Sequence, residues 1–580
     1  MKRVTLLLLA IGVCLSCLSQ KPSITWGDEF KLKKGSLDLE VIHTDETGVY
    51  LQEGHMTMKG FYVIMATMRT SASLVKLDKN LSEVYRNDFN KDLRGKEFVQ
   101  FFACQEKLLL FASEYSKAER TMIIYAAEVN KADGELAGMW KQVCSFQKEE
   151  KKDEINFKII PNADSTRFVV VSSVEGKERN EYQVQEFDKT IKAGGKPVVI
   201  SNEFEPKKYQ LEDLLYTMDK KIILVGRNLD YEEGKKKKAK FLNFQHYNIR
   251  IYDAQGKQET EINTNINGKW LSSTKLVLEK NRDLILAAFF SNEKKGKTID
   301  GLLVQRIDPV NGKVISTSEK QINNSMLSAD MNAASETDDD DDKESKTERK
   351  ERERLEKLRD EAEGFSKFMR FRQIYTTVDN GVVIMAEAFR HYYYTRSTLT
   401  GTGINGMTTY RDETVSVYES GDLMMVSIDA AGNIGWLQVV PKQQREEIVV
   451  GYLGGSGVSF GYNYAGFFEN TNRPFYSGFG VIQDKGILHV LLNDNPKNAA
   501  VTQAGQKVKY ATRLGRSHCF VLSVDEKTGK FTRKFFFDNR DVPTAMPRLG
   551  SVIGENMYMV GKTDRTMGKS KIAVAKIAIK

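Results

Sequence analysis

The chain has 580 residues with a formal charge of +8, and 41% of them are hydrophobic, so it can hold a substantial core and is not disordered as a whole. Most of the charge is spread among alternating basic and acidic residues, and no helix-turn-helix or RNA-binding signature accompanies it. We therefore expect no nucleic-acid partner. Only 10 prolines against 43 glycines favour strands joined by tight turns.

The N-terminus has the pattern of a secretory signal peptide. Lys2 and Arg3 precede an apolar run of about 10 residues, which is too short for the ~20 that a membrane-spanning helix needs. Small residues favour cleavage before Gln20, so residues 1–19 are the predicted signal peptide and 20–580 the mature chain. A lipid anchor at Cys17 is the alternative, and no later segment predicts a transmembrane span. We expect a periplasmic, cell-surface or secreted protein of a Gram-negative bacterium.

A short pattern recurs along the mature chain: alternating apolar residues, then Asp or Asn, then a turn that often contains Gly. Asp can accept hydrogen bonds from the turn backbone and Gly accepts positive φ, so the pattern is typical of a β-hairpin. Successive copies are 52, 58, 65, 55, 121 and 96 residues apart, which indicates a period near 55 with two gaps enlarged by insertions. The copies stand at Asp78, Asn130, Asp188, Asp253, Asp308, Asp429 and Asp525.

Further apolar strands flank each of these turns and give four strands in meander order, which is the sequence signature of a propeller blade. The last unit stops where its fourth strand would begin, while an unmatched strand lies at 24–32. We predict that this strand pairs with the strand at 571–579 and closes the ring, because closure leaves no sheet edge exposed. The predicted fold is all-β, a single propeller of eight four-stranded blades, and the two long gaps leave counts of seven or nine open.

Three insertions interrupt the repeat. Residues 323–367 combine an acidic tract, predicted to be disordered, with a stretch rich in Glu, Lys and Arg that favours a solvated helix or weak coiled coil. Residues 391–412 and 451–480 are rich in Gly and aromatic residues, and alternating Tyr and Phe favour an extra hairpin in which the rings pack on one another. The alternative is that the rings are exposed and form a stacking platform for a sugar or a peptide. The candidate binding residues are His391, Tyr392, Tyr393, Tyr394, Tyr462, Tyr464, Phe467 and Phe468.

Motifs for catalysis and metal binding are weak. Ser459 lies in a Gly-x-Ser-x-Gly string, but the residues after it cannot begin the helix that a nucleophile elbow needs. The histidines show no metal-ligand spacing, and His43 and His489 lie in strand patterns that favour buried, hydrogen-bonded rings. Cys104 and Cys144 fall on the first and last strands of one unit, too far apart for a disulfide, so free thiols are expected. The sequence predicts no metal and no cofactor.

One stretch resembles a known group of proteins. Residues 423–436 form a hydrophobic strand followed by Asp, Gly and Trp, and Pro441-Lys-Gln-Gln444 and Asn493-Asp-Asn-Pro-Lys-Asn498 come after them. The combination resembles exported propeller proteins, of WD40- or kelch-type architecture, from Bacteroidota bacteria, most closely over 368–498. The resemblance implies export and a propeller fold and carries no catalytic residue.

The sequence leaves two functions open. Rigid blades with elaborated loops favour a binding or scaffolding protein of the cell envelope, with an envelope protein or polysaccharide as its partner. The alternative is a hydrolase or lyase that acts on an envelope glycan or peptide with acids in the central funnel. Such acids come from different blades, so they have no fixed spacing in sequence.

Overall fold

Alternating apolar and polar residues build strands along the chain, and the computed structural model arranges them into eight sheets. It describes residues 22–31, 36–59, 67–162, 165–205, 208–217, 219–233, 240–264, 269–278, 283–292, 299–308, 312–322, 369–402, 408–450, 474–563 and 571–579. Within these ranges the chain forms 35 strands and short 3₁₀ turns at Pro496–Asn498, Leu514–Arg516 and Pro547–Leu549, and no α-helix.

Each sheet is one blade of a propeller, and seven of the eight blades are built around four consecutive strands. Blades one to four contain β3 (Ser36–Asp45), β4 (Gly48–Lys59), β5 (Thr67–Leu77), β6 (Glu83–Asp88); β7 (Glu97–Cys104), β8 (Lys107–Ser116), β9 (Thr121–Val129), β10 (Lys141–Gln147); β11 (Glu154–Pro161), β12 (Phe168–Glu175), β13 (Arg179–Phe187), β14 (Val198–Glu203); β15 (Tyr209–Tyr216), β16 (Ile222–Glu233), β17 (Lys240–Tyr252) and β18 (Gln258–Asn263). Blades five to seven contain β19 (Trp270–Leu278), β20 (Leu284–Ser291), β21 (Gly301–Asp308), β22 (Lys313–Gln321); β23 (Met369–Thr376), β24 (Val382–Thr402), β25 (Thr408–Ile428), β26 (Ile434–Val440), with β27 (Gln444–Val450) added to β25; and β28 (Gly480–Asp484), β29 (Ile487–Asp494), β30 (His518–Asp525) and β31 (Phe531–Asp538).

The eighth blade joins the two ends of the described chain. It contains β32 (Thr544–Ala545), β33 (Ser551–Ile553), β34 (Asn556–Thr563) and β35 (Lys571–Ile579), and its outer strands are β1 (Pro22–Trp26) and β2 (Phe30–Lys31). Ile24 pairs with Ile577 in an antiparallel ladder. The predicted closure by the N-terminal strand and the count of eight blades are therefore confirmed.

The first strand of each blade lies at the centre of the ring, since first strands of neighbouring blades contact one another, as β3 does β7 and β19 does β23. Strands then follow outward in meander order. Innermost strands begin, and second strands end, at the same edge of every blade. We call this edge the upper face; the Asp turns lie at the lower face.

The recurring Asp and Asn residues form the turns that the sequence predicts. Each ends the third strand of its blade. In six of the seven turns the side chain accepts backbone N–H groups, namely at Asp78, Asn130, Asp188, Asp253, Asp429 and Asp525. Asp429 Oδ1, for example, accepts from Ala431 at 2.9 Å and Asn433 at 2.8 Å, and Gly432 then takes φ of +88°. Asp78, Asp188 and Asp253 accept in the same pattern.

The core lies between the blades. Second strands are hydrophobic on both faces because each blade packs against two neighbours, and β20 is buried at every position. Between blades two and three, Phe168 contacts Phe111 and Phe187 with ring centroids 5.1 and 5.2 Å apart. Cys104 and Cys144 are buried free thiols in the same cluster, as predicted.

One hairpin departs from the regular blade. β24 and β25 have 21 residues each, so their distal halves extend beyond the upper face of blade six, and residues 391–402 and 408–412 belong to this extension. The insertion predicted at 323–367 and residues 451–473 lie outside the described residues, as does Ser459. No helix in the described ranges is long and apolar enough to cross a membrane.

Candidate functional site

A bulge in an innermost strand positions the first residue of the site. In blade six, Phe371 pairs with Ala386 and Gln373 with Met385, which leaves Arg372 as the extra residue. The innermost strands of blades two, four and five are bulged at the same level. A bulge re-aims the side chain that it inserts. Here it brings the Arg372 Nε to 3.0 Å from Glu387 Oε2, in the half of β24 that belongs to the regular blade.

Blade eight supplies a second guanidinium to the same carboxylate. Its innermost strand is interrupted between β32 and β33 by the 3₁₀ turn that contains Arg548, and Arg548 Nη2 donates to Glu387 Oε2 at 2.9 Å. The side chain reaches blade six by passing Gly478, just before blade seven begins. A Cβ on Gly478 would lie 2.9 Å from Arg548 Nε, and its φ of +95° also favours glycine.

Lys442 completes the group of charges, which we call the Glu387 cluster: Glu387, Arg372, Lys442 and Arg548. Lys442 Nζ donates to Glu387 Oε1 at 2.7 Å, and both side chains are fully buried. Burial alone would raise the pKa of Glu387, but Lys442, Arg548 and Arg372 outweigh burial and lower the pKa to about 2. Glu387 is therefore an anion at neutral pH, and it cannot act there as a general acid.

The segment around Lys442 forms a hydrogen-bonded network next to this cluster. Gln444 Oε1 accepts from Lys442 Nζ at 3.0 Å, and Gln444 Nε2 donates to the Asn493 carbonyl at 2.6 Å. Asp494 is buried against Arg533 and accepts from Asn498 Nδ2 at 2.9 Å. The Lys-Gln and Asn-Asp segments are the ones that carry the sequence resemblance. Because Gln444 belongs to blade six and Asn493 to blade seven, their hydrogen bond connects the two blades.

Aromatic side chains continue from the Glu387 cluster along one face of the β24–β25 hairpin. The Arg372 and Arg548 guanidinium carbons lie 4.4 and 5.4 Å from the Phe389 ring centroid. Phe389 neighbours Tyr418 at 6.3 Å, Tyr418 stacks on His391 at 4.4 Å with an interplanar angle of 3°, and His391 meets Tyr393 edge-on at 4.7 Å. We call Phe389, Tyr418, His391 and Tyr393 the aromatic ladder.

The aromatic ladder is covered at its base and exposed at its far end. Tyr418 is buried, Phe389 and His391 are half-buried, and 45% of Tyr393 is exposed. His391 Nε2 lies 2.8 Å from Ser416 Oγ, and burial lowers the pKa of His391, so the ring is neutral at pH 7. The ladder therefore leads from two half-buried guanidinium groups to an exposed, uncharged aromatic surface.

The structure separates the sequence-predicted site residues into two groups. His391 and Tyr393 point to the ladder face, whereas Tyr392 and Tyr394 alternate to the opposite face. There Tyr392 OH donates to Glu419 at 3.2 Å and Tyr394 OH donates to Glu447 at 3.0 Å. Tyr462, Tyr464, Phe467 and Phe468 lie outside the described residues, so their predicted role in binding is untested.

Sequence reasoning missed six residues of the site: Arg372, Glu387, Phe389, Tyr418, Lys442 and Arg548. Of these, Lys442 lies in a motif that the sequence analysis singled out, but not as a site residue. Phe389 and Tyr418 had a readable signal, because period-two alternation puts 389, 391 and 393 on one face of a strand. The arginines had none, since both sit at irregularities of innermost strands, in blades far apart in sequence.

β27, which pairs with β25 of the hairpin, also holds the segment that enters blade seven. Glu446 on β27 is buried, and its carboxylate accepts the backbone N–H groups of Phe475, Tyr476 and Ser477 at 2.8, 2.8 and 2.9 Å. Three such bonds fix the backbone beside the ladder face, because Glu446 pairs across the sheet with Tyr418.

Blade four carries the same pair of positions with the charges exchanged. Glu212 is the bulged residue of β15, and its partner on the second strand is Arg227. Burial raises the pKa of Glu212, Asp213 raises it further, and Arg227 opposes both. Glu212 is thus a carboxyl group of raised pKa at the upper end of an innermost strand.

No group of three or more His, Cys, Asp and Glu side chains in the described ranges is arranged to hold a metal ion.

No protein-family model and no curated protein matches the chain. The similar solved structures are propellers of diverse enzymes. One is the polysaccharide lyase Uly1, with 9% sequence identity over 96% of this chain and 100% of that chain and a TM-score of 0.32. Another is the β-propeller domain of the Trilobed protease from Pyrococcus furiosus, with 10% identity over 89% of this chain and 97% of that chain and a TM-score of 0.30. A third is an ACO/RPE65 chimera, with 9% identity over 88% of this chain and 92% of that chain and a TM-score of 0.30. At these identities the chain is similar to them in fold alone.

Proposed function

We propose that the protein is an exported binding propeller of the cell envelope, which holds an extended glycan along the aromatic ladder. The observation that supports this proposal is the continuous series from Arg372 and Arg548 through Phe389 to the exposed Tyr393. Flat aromatic surfaces beside fixed polar groups suit the apolar face and hydroxyl edge of a sugar ring. The signal-peptide pattern and the resemblance to exported Bacteroidota propellers support the location.

The base of the ladder is rigid, which favours binding. Ordering a ligand costs less free energy when the protein side is already fixed. Here the cations of the Glu387 cluster, the Gln444 network and the Glu446 contacts connect the hairpin to blades seven and eight. Tyr393 is then an exposed ring on a fixed support rather than part of a loop that must be ordered on binding.

Affinity electrophoresis of the full chain in gels that contain defined neutral or acidic polysaccharides tests this proposal. We expect at least one polysaccharide to retard the protein, and Tyr393→Ala to weaken the retardation about tenfold, because a stacking contact contributes ~1.4 kcal/mol. Tyr115→Ala is the matched control, since Tyr115 is a 39% exposed tyrosine of blade two. Equal retardation of wild type and Tyr393→Ala would contradict the proposal, and capture of an envelope protein at Tyr393 would replace the glycan by a protein.

One observation favours the second candidate function, chemistry on the bound polymer. Glu212 has a raised pKa at the upper face, and a general acid needs that property. Incubation of the full chain with each retained polysaccharide, followed by chromatography for shorter products, tests it. Glu212→Gln should abolish product formation if Glu212 donates the proton. Products formed equally by wild type and Glu212→Gln would exclude that role.

A further inference from the structure

The Glu387 cluster holds more positive than negative charge. Three cations contact the single carboxylate of Glu387. Lys442 is fully buried and is compensated by Glu387, but the side chains of Arg372 and Arg548 are 24% and 13% exposed. The exposed part of the cluster is therefore two guanidinium groups that share a carboxylate already bound to a third cation.

The Arg372 guanidinium also keeps hydrogen-bonding capacity. Arg372 bonds Glu387 through Nε, and its Nη2 is buried with no hydrogen-bond partner among the described residues. A buried N–H group without a partner is costly, and a ligand oxygen would remove that cost. Phe389 supports both guanidinium groups from the side, so each is oriented by an aromatic ring.

We infer that Arg372 and Arg548 form an anion subsite at the foot of the aromatic ladder, and that the glycan is acidic, with a uronate carboxylate or a sulfate ester bound there. This inference rests on the proposed function and specifies its ligand. The fork of N–H donors on a guanidinium matches the two oxygens of a carboxylate or a sulfate, which a lysine ammonium cannot do. Sugar rings that follow the acidic group along the chain would then lie toward His391 and Tyr393.

Matched polymers separate the acidic group from the sugar backbone. The full chain is titrated calorimetrically with polygalacturonate against its fully methyl-esterified form, and with dextran sulfate against dextran. We expect one acidic polymer to bind and its neutral counterpart to bind at least about tenfold more weakly, which corresponds to one charge-assisted hydrogen-bonded contact. The polygalacturonate pair reports a carboxylate, and the dextran sulfate pair reports a sulfate.

Arg372→Lys and Arg372→Met should both lose most of this preference for the acidic polymer. Methionine removes the charge, and lysine keeps the charge but lacks the fork of N–H donors. Arg540→Gln is the control: it removes an exposed arginine at the upper face of blade seven. Thermal melting of each variant checks folding, and Arg372→Lys, which keeps the charge next to Glu387, is the variant that should melt closest to wild type.

The outcomes are distinguishable. Acidic preference lost in both Arg372 variants and kept in Arg540→Gln supports the subsite. Equal loss in Arg540→Gln would show that the preference comes from general surface charge and would overturn the inference. Binding of neutral and acidic polymers alike, weakened by Tyr393→Ala, would also overturn the inference and leave the proposed function intact. If the protein binds none of these polymers, both the inference and the proposed function are wrong.

Discussion

Replacing Glu387 by Gln removes the anion that three cations contact, of which Lys442 is fully buried. Breaking a buried ion pair by removing one partner typically costs ~3–5 kcal/mol, because the remaining charge is left in a low-dielectric interior. Lys442 can limit this cost by losing its proton. Deprotonating a lysine of ordinary pKa ~10.4 at pH 7 costs ~4.6 kcal/mol, which sets a ceiling of similar size. We therefore expect Glu387→Gln to lower the free energy of unfolding by ~3–4 kcal/mol.

Differential scanning calorimetry at pH 7 measures this loss. With an unfolding entropy of ~2.1 cal/mol/K per residue, a chain of this length should melt ~3 °C lower. Glu149→Gln is the control, since Glu149 pairs with Arg179 at the surface and should contribute less than ~1 kcal/mol. Adding Lys442→Met to Glu387→Gln should recover part of the loss, because it removes the uncompensated ammonium.

The same carboxylate gives a pH signature. Its pKa is about 2 in the folded protein against 4.5 as the ordinary value. A lowered carboxylate pKa contributes stability above the ordinary value, and this contribution is lost as pH falls from about 4.5 through about 2. Wild type should therefore lose its advantage over Glu387→Gln in that window. An advantage that persists unchanged at pH 2, or a Glu387→Gln variant within ~1 kcal/mol of wild type at pH 7, would refute the buried-cation argument.

Two further predictions concern other parts of the ring. Gly478→Ala should lower the melting temperature and weaken ligand binding together, because its Cβ would lie 2.9 Å from Arg548 Nε at a φ of +95°; unchanged melting and binding would contradict the packing. At the lower face, burial and then Lys131 lower the pKa of His43, while Asp45 raises it, so stability should fall as pH drops below the ordinary value of 6.5. Chemical denaturation from pH 7.5 to 5.5 measures this, and His43→Gln should flatten the profile; an identical slope in the variant would refute it.

The fold could be predicted from the sequence because its signals are local and repeated. Asp429 with Gly432 is one hairpin signal, and the regular recurrence of this signal along the chain predicts the number and order of the blades. The strand predicted at 24–32 belongs to no complete unit, and its partner at 571–579 is more than 500 residues away in sequence. The incomplete last unit nevertheless indicated that the two strands pair. These inferences needed only strand periodicity and turn chemistry, both of which act within a few residues.

The site could be predicted only in part. The run from His391 to Tyr394 directed attention to the hairpin, but treating it as one surface ignored the alternation that sends Tyr392 and Tyr394 to the other face. Arg372 and Arg548 are 176 residues apart in sequence and meet because blades six and eight place irregular innermost strands around one carboxylate. Such convergence depends on ring closure and on a bulge, and neither leaves a pattern at those residues.

Hydroxyl-radical footprinting of the full chain, with and without a retained polysaccharide, tests the central claim most directly. Radicals oxidise exposed aromatic side chains, and Tyr393, Tyr115 and Phe535 are 45%, 39% and 58% exposed at separate places on the ring. If the ladder holds the ligand, oxidation of Tyr393 should fall several-fold while Tyr115 and Phe535 keep their rates. Unchanged oxidation of Tyr393, with protection at Tyr115 or Phe535, would contradict the account.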